Sequence, residues 1–129
     1  MNKIDFLETF LSFYIDHHEV LKDMESGENR YTILDVRNAP KEVKEDKIKN
    51  SIEIPAKDLK NQLNTLSKDT IYVVYDWTGG TILGKEALLE LYKNDYEAYE
   101  LAGALEGWKG MKLPCLLYTS DAADERSSV

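Results

Sequence analysis

Apolar side chains at Ile4, Leu7, Leu11 and Tyr14 recur at steps of three and four, with Phe6, Phe10 and Phe13 in an adjacent row. This spacing predicts an N-terminal helix with a wide apolar stripe, and such a stripe is expected to pack on the rest of the chain. Val20, Leu21 and Met24 extend that helix or begin a second one, until Ser26-Gly27-Glu28-Asn29 supplies stop and turn signals. Residues 1–30 are therefore read as a helical segment packed on a main domain that begins at Tyr31.

From Tyr31 the pattern changes. Tyr31 to Val36 and Ile71 to Tyr75 are β-branched and aromatic runs, Ser51 to Ile54 is a shorter strand closed by Pro55, and Tyr96 to Leu101 is a fourth strand candidate. Between them, Leu59, Leu63 and Leu66 fall on one helical face, as do Leu83, Ala87 and Leu91 with Leu88 and Tyr92 beside them. Leu105 to Met111, with Trp108, predicts a short closing helix after the breaker Gly103. Strands separated by helices imply parallel pairing with right-handed crossovers. The expected fold is an α/β layered domain with a four- to five-stranded, mainly parallel sheet and helices on both faces.

Composition narrows the function classes. The 129 residues are 43% hydrophobic and 31% charged, with a net charge of -8, as in an ordinary acidic globule. That charge argues against nucleic acid and anionic membrane partners, which demand clustered Lys and Arg. No apolar run is long enough to span a bilayer, and Met1 to Asp5 lacks the character of a signal peptide, so a cytoplasmic location is expected. Lys41 to Lys49 is a dense run of mixed charge, read as a solvated face. The single cysteine, Cys115, excludes an internal disulfide.

Cys115 to Asp124, Cys-Leu-Leu-Tyr-Thr-Ser-Asp-Ala-Ala-Asp, resembles a translated DNA sequence more than a protein segment. The codons TGT CTC TTA TAC ACA TCT GAC GCT GCC GAC reproduce the mosaic end and adapter of a transposase-made sequencing library. Residues 115–129 are accordingly read as an assembly artefact and left out of the expected domain, residues 31–114. The balance of the remaining chain stays acidic.

Candidate chemistry gathers at the carboxyl ends of the strands, where open α/β sheets bind ligands. Asp76-Trp77-Thr78-Gly79-Gly80-Thr81 follows the central strand and precedes a helix. Asp76 is expected to cap that helix by accepting backbone N–H bonds, and Trp77 to pack on a neighbouring loop, with a stacking surface for a ligand or partner as the alternative. Asp35 and Arg37 end the first strand as an expected ion pair that fixes the local turn. Gly79 to Lys85 fits the Gly-x4-Gly-Lys spacing of a phosphate-binding loop, but Glu86 stands where a magnesium-binding Ser or Thr belongs. Asp76-x-Thr78 also resembles the nucleophile motif of haloacid-dehalogenase-type phosphotransferases, although that family needs further magnesium-binding acids and a cap or longer sheet, and carries its motif on the first strand, not the third. His17 and His18 are adjacent, and neighbours on a helix point about 100° apart, so they are read as solvated surface residues and no metal site is expected.

Four segments in order resemble the rhodanese-like domains. They are Leu-Asp-Val-Arg (Leu34 to Arg37), Asp-Lys-Ile-Lys-Asn-Ser-Ile-Glu-Ile-Pro (Asp46 to Pro55), Tyr-Val-Val-Tyr-Asp (Tyr72 to Asp76) and Glu-Leu-Ala-Gly-Ala-Leu-Glu-Gly-Trp (Glu100 to Trp108). The resemblance implies a parallel α/β domain whose active loop follows the central strand. It also implies that the catalytic cysteine, which in that family carries a sulfane sulfur as a persulfide cradled by loop amides, is replaced here by Asp76. Lys47, where relatives often have His, and Ser51 in place of Ala are milder departures. A domain that does not transfer sulfur and serves as a binding or regulatory module is expected, with no cofactor and with a small anion or a protein as partner. An enzyme that uses Asp76 is the alternative.

Overall fold

The structure, a computed structural model, describes residues 2–118 and the backbone of residues 125–126. The N-terminal segment is not helical throughout. Helix α1 (Lys3–Leu11) is opened by Asn2, whose side chain accepts the Asp5 N–H, and α2 (His17–Ser26) ends at Gly27 in the left-handed conformation. Between them Tyr14–Ile15 forms a two-residue strand, β1, so the sheet recruits a segment assigned above to helix. Strands β2 (Tyr31–Asp35), β3 (Asp46–Ile48) and β4 (Ile52–Glu53) are followed by α4 (Ala56–Gln62), with a single turn of helix, α3 (Lys41–Lys44), between β2 and β3. The second half runs β5 (Ile71–Tyr75), α5 (Leu83–Lys93), β6 (Ala98–Leu101), α6 (Ala104–Gly110) and β7 (Cys115–Leu117).

Five strands form one parallel sheet in the order β1-β6-β5-β2-β4, with β5 at the centre. Alternation along the strands divides the core between its two faces. Leu34, Val36, Tyr72, Val74 and Ala98 point to one side, where Leu59 of α4 and Ala87, Leu88 and Leu91 of α5 cover them. Ile33, Val73, Tyr75 and Leu101 point to the other, where Val20 of α2 and Leu105 and Trp108 of α6 lie. Both faces of β5 are covered, which is why its sequence is apolar throughout.

Two departures from the sequence expectations have physical causes. Helix α1 buries no residue, and Ile4, Leu7 and Leu11 are 54–69% exposed, because Phe10 and Phe13, not the stripe, meet α5. The run Lys41 to Lys49 is not a solvated face: Lys44 and Asp46 are buried, each neutralised by partners distant in sequence. Cys115–Leu117, the start of the segment left out of the expected domain, forms β7, which pairs antiparallel with β3, and Cys115 is buried in the second core. Residues 119–124 and 127–129, the rest of the segment read as an artefact apart from Tyr118 and the pair 125–126, lie outside the described residues. Among the described residues no helix is long and apolar enough to cross a membrane.

Candidate functional site

Asp76 leaves the carboxyl end of β5 fully buried. One carboxylate oxygen accepts the Trp77 N–H at 2.7 Å; the other accepts the Leu83 N–H at 3.0 Å and the Thr81 hydroxyl. Leu83 is the first residue of α5, so the acid closes the loop on itself and meets the positive end of the helix. Within the loop, Thr78 Oγ1 accepts the Gly80 N–H and Thr78 O accepts the Thr81 hydroxyl at 2.9 Å. The loop's first two carbonyls are engaged from the far side: Asp76 O accepts the Leu105 N–H and Trp77 O the Glu106 N–H, both at 3.0 Å. Two helix starts thus converge on residues 76–77.

Asp35 and Arg37 stand on the neighbouring strand end. Both are fully buried and joined as a two-pronged pair, Arg37 Nε to Asp35 Oδ1 at 2.9 Å and Nη2 to Oδ2 at 2.7 Å, and Nη2 also reaches Asp46 O at 2.6 Å. The remaining nitrogen, Nη1, is buried with no hydrogen-bond acceptor among the described residues. Aromatic faces lie against this guanidinium, Trp77 with its ring centre 4.5 Å from Cζ and Tyr75 at 5.6 Å. Trp77 is therefore held by Arg37 and by the second core. Around the pair, Lys44 binds Glu53 at 2.7 Å and lies 3.8 Å from Asp35, Lys47 lies 3.6 Å from Glu53, and Lys109 binds Asp46 at 2.9 Å. Burial pushes the Glu53 carboxyl up, but the bond from Lys44 and the charge of Lys47 bring it below its ordinary value.

The sequence reading passed over Glu100, which the fold places beside the loop. It lies in β6 opposite Val74, is buried, and its carboxylate sits against Gly84 and 3.2 Å from Lys85 Nζ. Burial raises its pKa, the charge of Asp76 raises it further, and Lys85 opposes both. Lys85 also lies 5.3 Å from the ring centre of Tyr14. The lysine of the Gly-x4-Gly-Lys spacing is thus committed to Glu100 and does not face the loop as a phosphate ligand would require. The signal available in sequence was an acid at an inward position of an otherwise apolar strand, facing a glycine.

His17 and His18 also depart from expectation. Their ring centres are 4.2 Å apart, and their Nδ1 atoms lie 3.6 and 3.3 Å from the two oxygens of Asp16. Both rings turn toward the carboxylate of Asp16, the residue that caps α2.

A parallel sheet layered between helices, with a tight loop closed by Asp76 at the carboxyl end of its central strand, defines a doubly covered α/β domain. The chain belongs to the rhodanese-like domain family, whose model matches residues 16–111. It is similar to a protein from Lactobacillus plantarum at 61% identity, covering 88% of this chain and 95% of that one with a TM-score of 0.86. A full-length protein from Lactobacillus plantarum is 59% identical over 90% of this chain and 97% of its own, TM-score 0.88. The rhodanese-like domain of an Anabaena sp. protein, solved by solution NMR, is 28% identical over 87% of both chains, TM-score 0.70. No curated protein matches the chain.

Proposed function

We propose that this rhodanese-like domain does not transfer sulfur through a cysteine persulfide and works as a binding or regulatory module, with Asp76, Trp77, Thr78, Gly79, Gly80 and Thr81 as its active-loop equivalent and Asp35 and Arg37 as supports. The observation that carries this reading is the state of Asp76: buried, with both carboxylate oxygens already accepting from Trp77, Leu83 and Thr81. A carboxylate cannot accept a sulfane sulfur as a thiolate does. It instead occupies, as a built-in anion, the cradle of donors that an anionic sulfur would need. The same engagement disfavours Asp76 as a nucleophile, since neither oxygen is presented to solvent. The only thiol, Cys115, is buried on β7, within the second core. The partner is a small anion or a protein, not nucleic acid.

The test is thiosulfate-to-cyanide sulfur transfer by the full chain. No turnover above background is expected, and turnover that disappears in Asp76→Asn would overturn the proposal. In a Cys115→Ala background, Asp76→Cys is expected to gain one labile sulfane sulfur per chain from thiosulfate, measured by cyanolysis. A folded variant that takes up none would show that the loop is no cradle for an anionic sulfur.

A further inference from the structure

We propose that Asp16, His17 and His18 form a binding site for a first-row divalent transition ion of the zinc class. One carboxylate oxygen and one nitrogen from each imidazole lie within 4.8 Å of one another, a borderline N/O donor set of the kind such ions prefer. In a tetrahedral site with metal–ligand bonds of about 2.1 Å, donor atoms stand about 3.4 Å apart. His17 Nδ1 lies 3.6 Å from Asp16 Oδ1 and His18 Nδ1 lies 3.3 Å from Asp16 Oδ2, both close to that separation. A simple ion pair would aim an imidazole N–H at the carboxylate, yet neither ring makes a hydrogen bond to Asp16.

The fold builds and orients this cluster. Strand β1 pairs with β6, with Ile15 O accepting the Ala102 N–H at 2.9 Å, and the three residues follow at its carboxyl end. Asp16 Oδ2 accepts the His18 N–H at 3.1 Å, which fixes the carboxylate as an outer hydrogen bond fixes a metal ligand. The His17 side chain is only 21% exposed, so its ring is held by its surroundings. The positive end of α2 works against a cation here, and the Asp16 carboxylate offsets it. The site lies on the ligand-binding edge of the sheet, two strands from Asp76 in the order β1-β6-β5, and independent of that loop's role. Three protein donors leave a fourth position for water or a small ligand.

The chain has only two histidines, so an imidazole 15N NMR spectrum reports on this cluster alone. Titrating the full chain with Zn2+ is expected to shift both imidazoles together, saturating at one equivalent. His18→Ala, at a side chain 64% exposed and thus tolerant of change, is expected to weaken binding at least about tenfold while the far-UV spectrum stays the same. An imidazole unmoved in excess Zn2+, or affinity unaffected by His18→Ala, would overturn the site, including the case in which zinc binds elsewhere without moving either ring.

Discussion

At the scale of single residues, two buried acids, Asp76 and Glu100, have opposite consequences for stability. Asp76 is matched to its surroundings: two backbone N–H groups and a hydroxyl meet its charge. Asp76→Asn keeps the shape but turns one acceptor into a donor facing those same donors, so it is expected to cost about 2 kcal/mol in urea unfolding. A cost near zero would mean that the carboxylate is not the element closing the loop. Glu100 is mismatched, because burial and the charge of Asp76 raise its pKa in the folded state. An acid with a raised folded pKa adds stability only below its unfolded pKa and loses it as pH rises through the folded value. Glu100→Gln is therefore expected to stabilise the protein more at about pH 7.5 than at about pH 3, below the ordinary glutamate range, where the wild-type side chain is protonated in both states. The exposed half of its ion pair, Lys85, gives up little in exchange. An equal effect at both pH values would refute the assignment. Glu53, held below its ordinary pKa, contributes in the opposite direction, its share being lost as pH falls.

At the scale of elements, the N-terminus of α5 is set by how closely it approaches β6. A Cβ built on Gly84 would lie 2.5 Å from Glu100 Oε2 and 3.3 Å from its Cγ, so the whole buried side chain, not its tip alone, would have to move. Gly84→Ala is expected to destabilise by about 1 to 3 kcal/mol despite alanine's better helix propensity. In a Glu100→Ala background the same change is expected to be neutral or stabilising, and a double-mutant cycle by urea titration measures the difference. Additive costs would show that the helix is positioned by something else. This contact also marks how far the sequence could be read. The long elements were legible because their period is carried by many residues: β5 by an unbroken β-branched and aromatic run, α5 by Leu83, Ala87 and Leu91. Asp76 and the Asp35–Arg37 pair were legible because polar residues that stop such runs stand at strand ends. Strand β1 was not, since two residues carry no period and its pairing with Glu100 and Leu101 is entirely long-range. Nor was the burial of Lys44 and Asp46, which depends on Glu53 and Lys109 arriving from elsewhere in the chain.

At the scale of the whole molecule, stability is unevenly distributed, and the N-terminal stripe shows why periodicity alone could not place α1. A helical period says that one face is apolar; it does not say that anything in the same chain covers it. Here Ile4, Leu7 and Leu11 face outward, and the aromatic contacts of Phe6 and Phe10 are to neighbours in sequence. The helix touches the domain at its carboxyl end only, where Phe10 meets Tyr14 of β1 and lines a groove with Leu88 and Tyr92 of α5, and Phe13, beyond the helix, lies 6.2 Å from Tyr92. With nine residues, α1 is shorter than the ~12–15 at which isolated helices become marginally stable, so it depends on the Asn2 cap and on the few contacts of Phe10. Strand β5, by contrast, is covered on both faces and paired on both edges, so its amides open only when the domain unfolds. Native-state hydrogen exchange is therefore expected to show α1 amides exchanging through local fraying, orders of magnitude faster than those of Tyr72 to Val74. Replacing Leu7 by Ser is expected to change the urea midpoint by no more than the equivalent of about 0.5 kcal/mol, the usual bound for an exposed position. Replacing the fully buried Trp108 by Ala is expected to cost about 3 to 5 kcal/mol, because it empties the second core and removes the N–H that binds Pro114 O. Protection of α1 equal to that of β5, at protein concentrations where the chain is monomeric, would overturn this division.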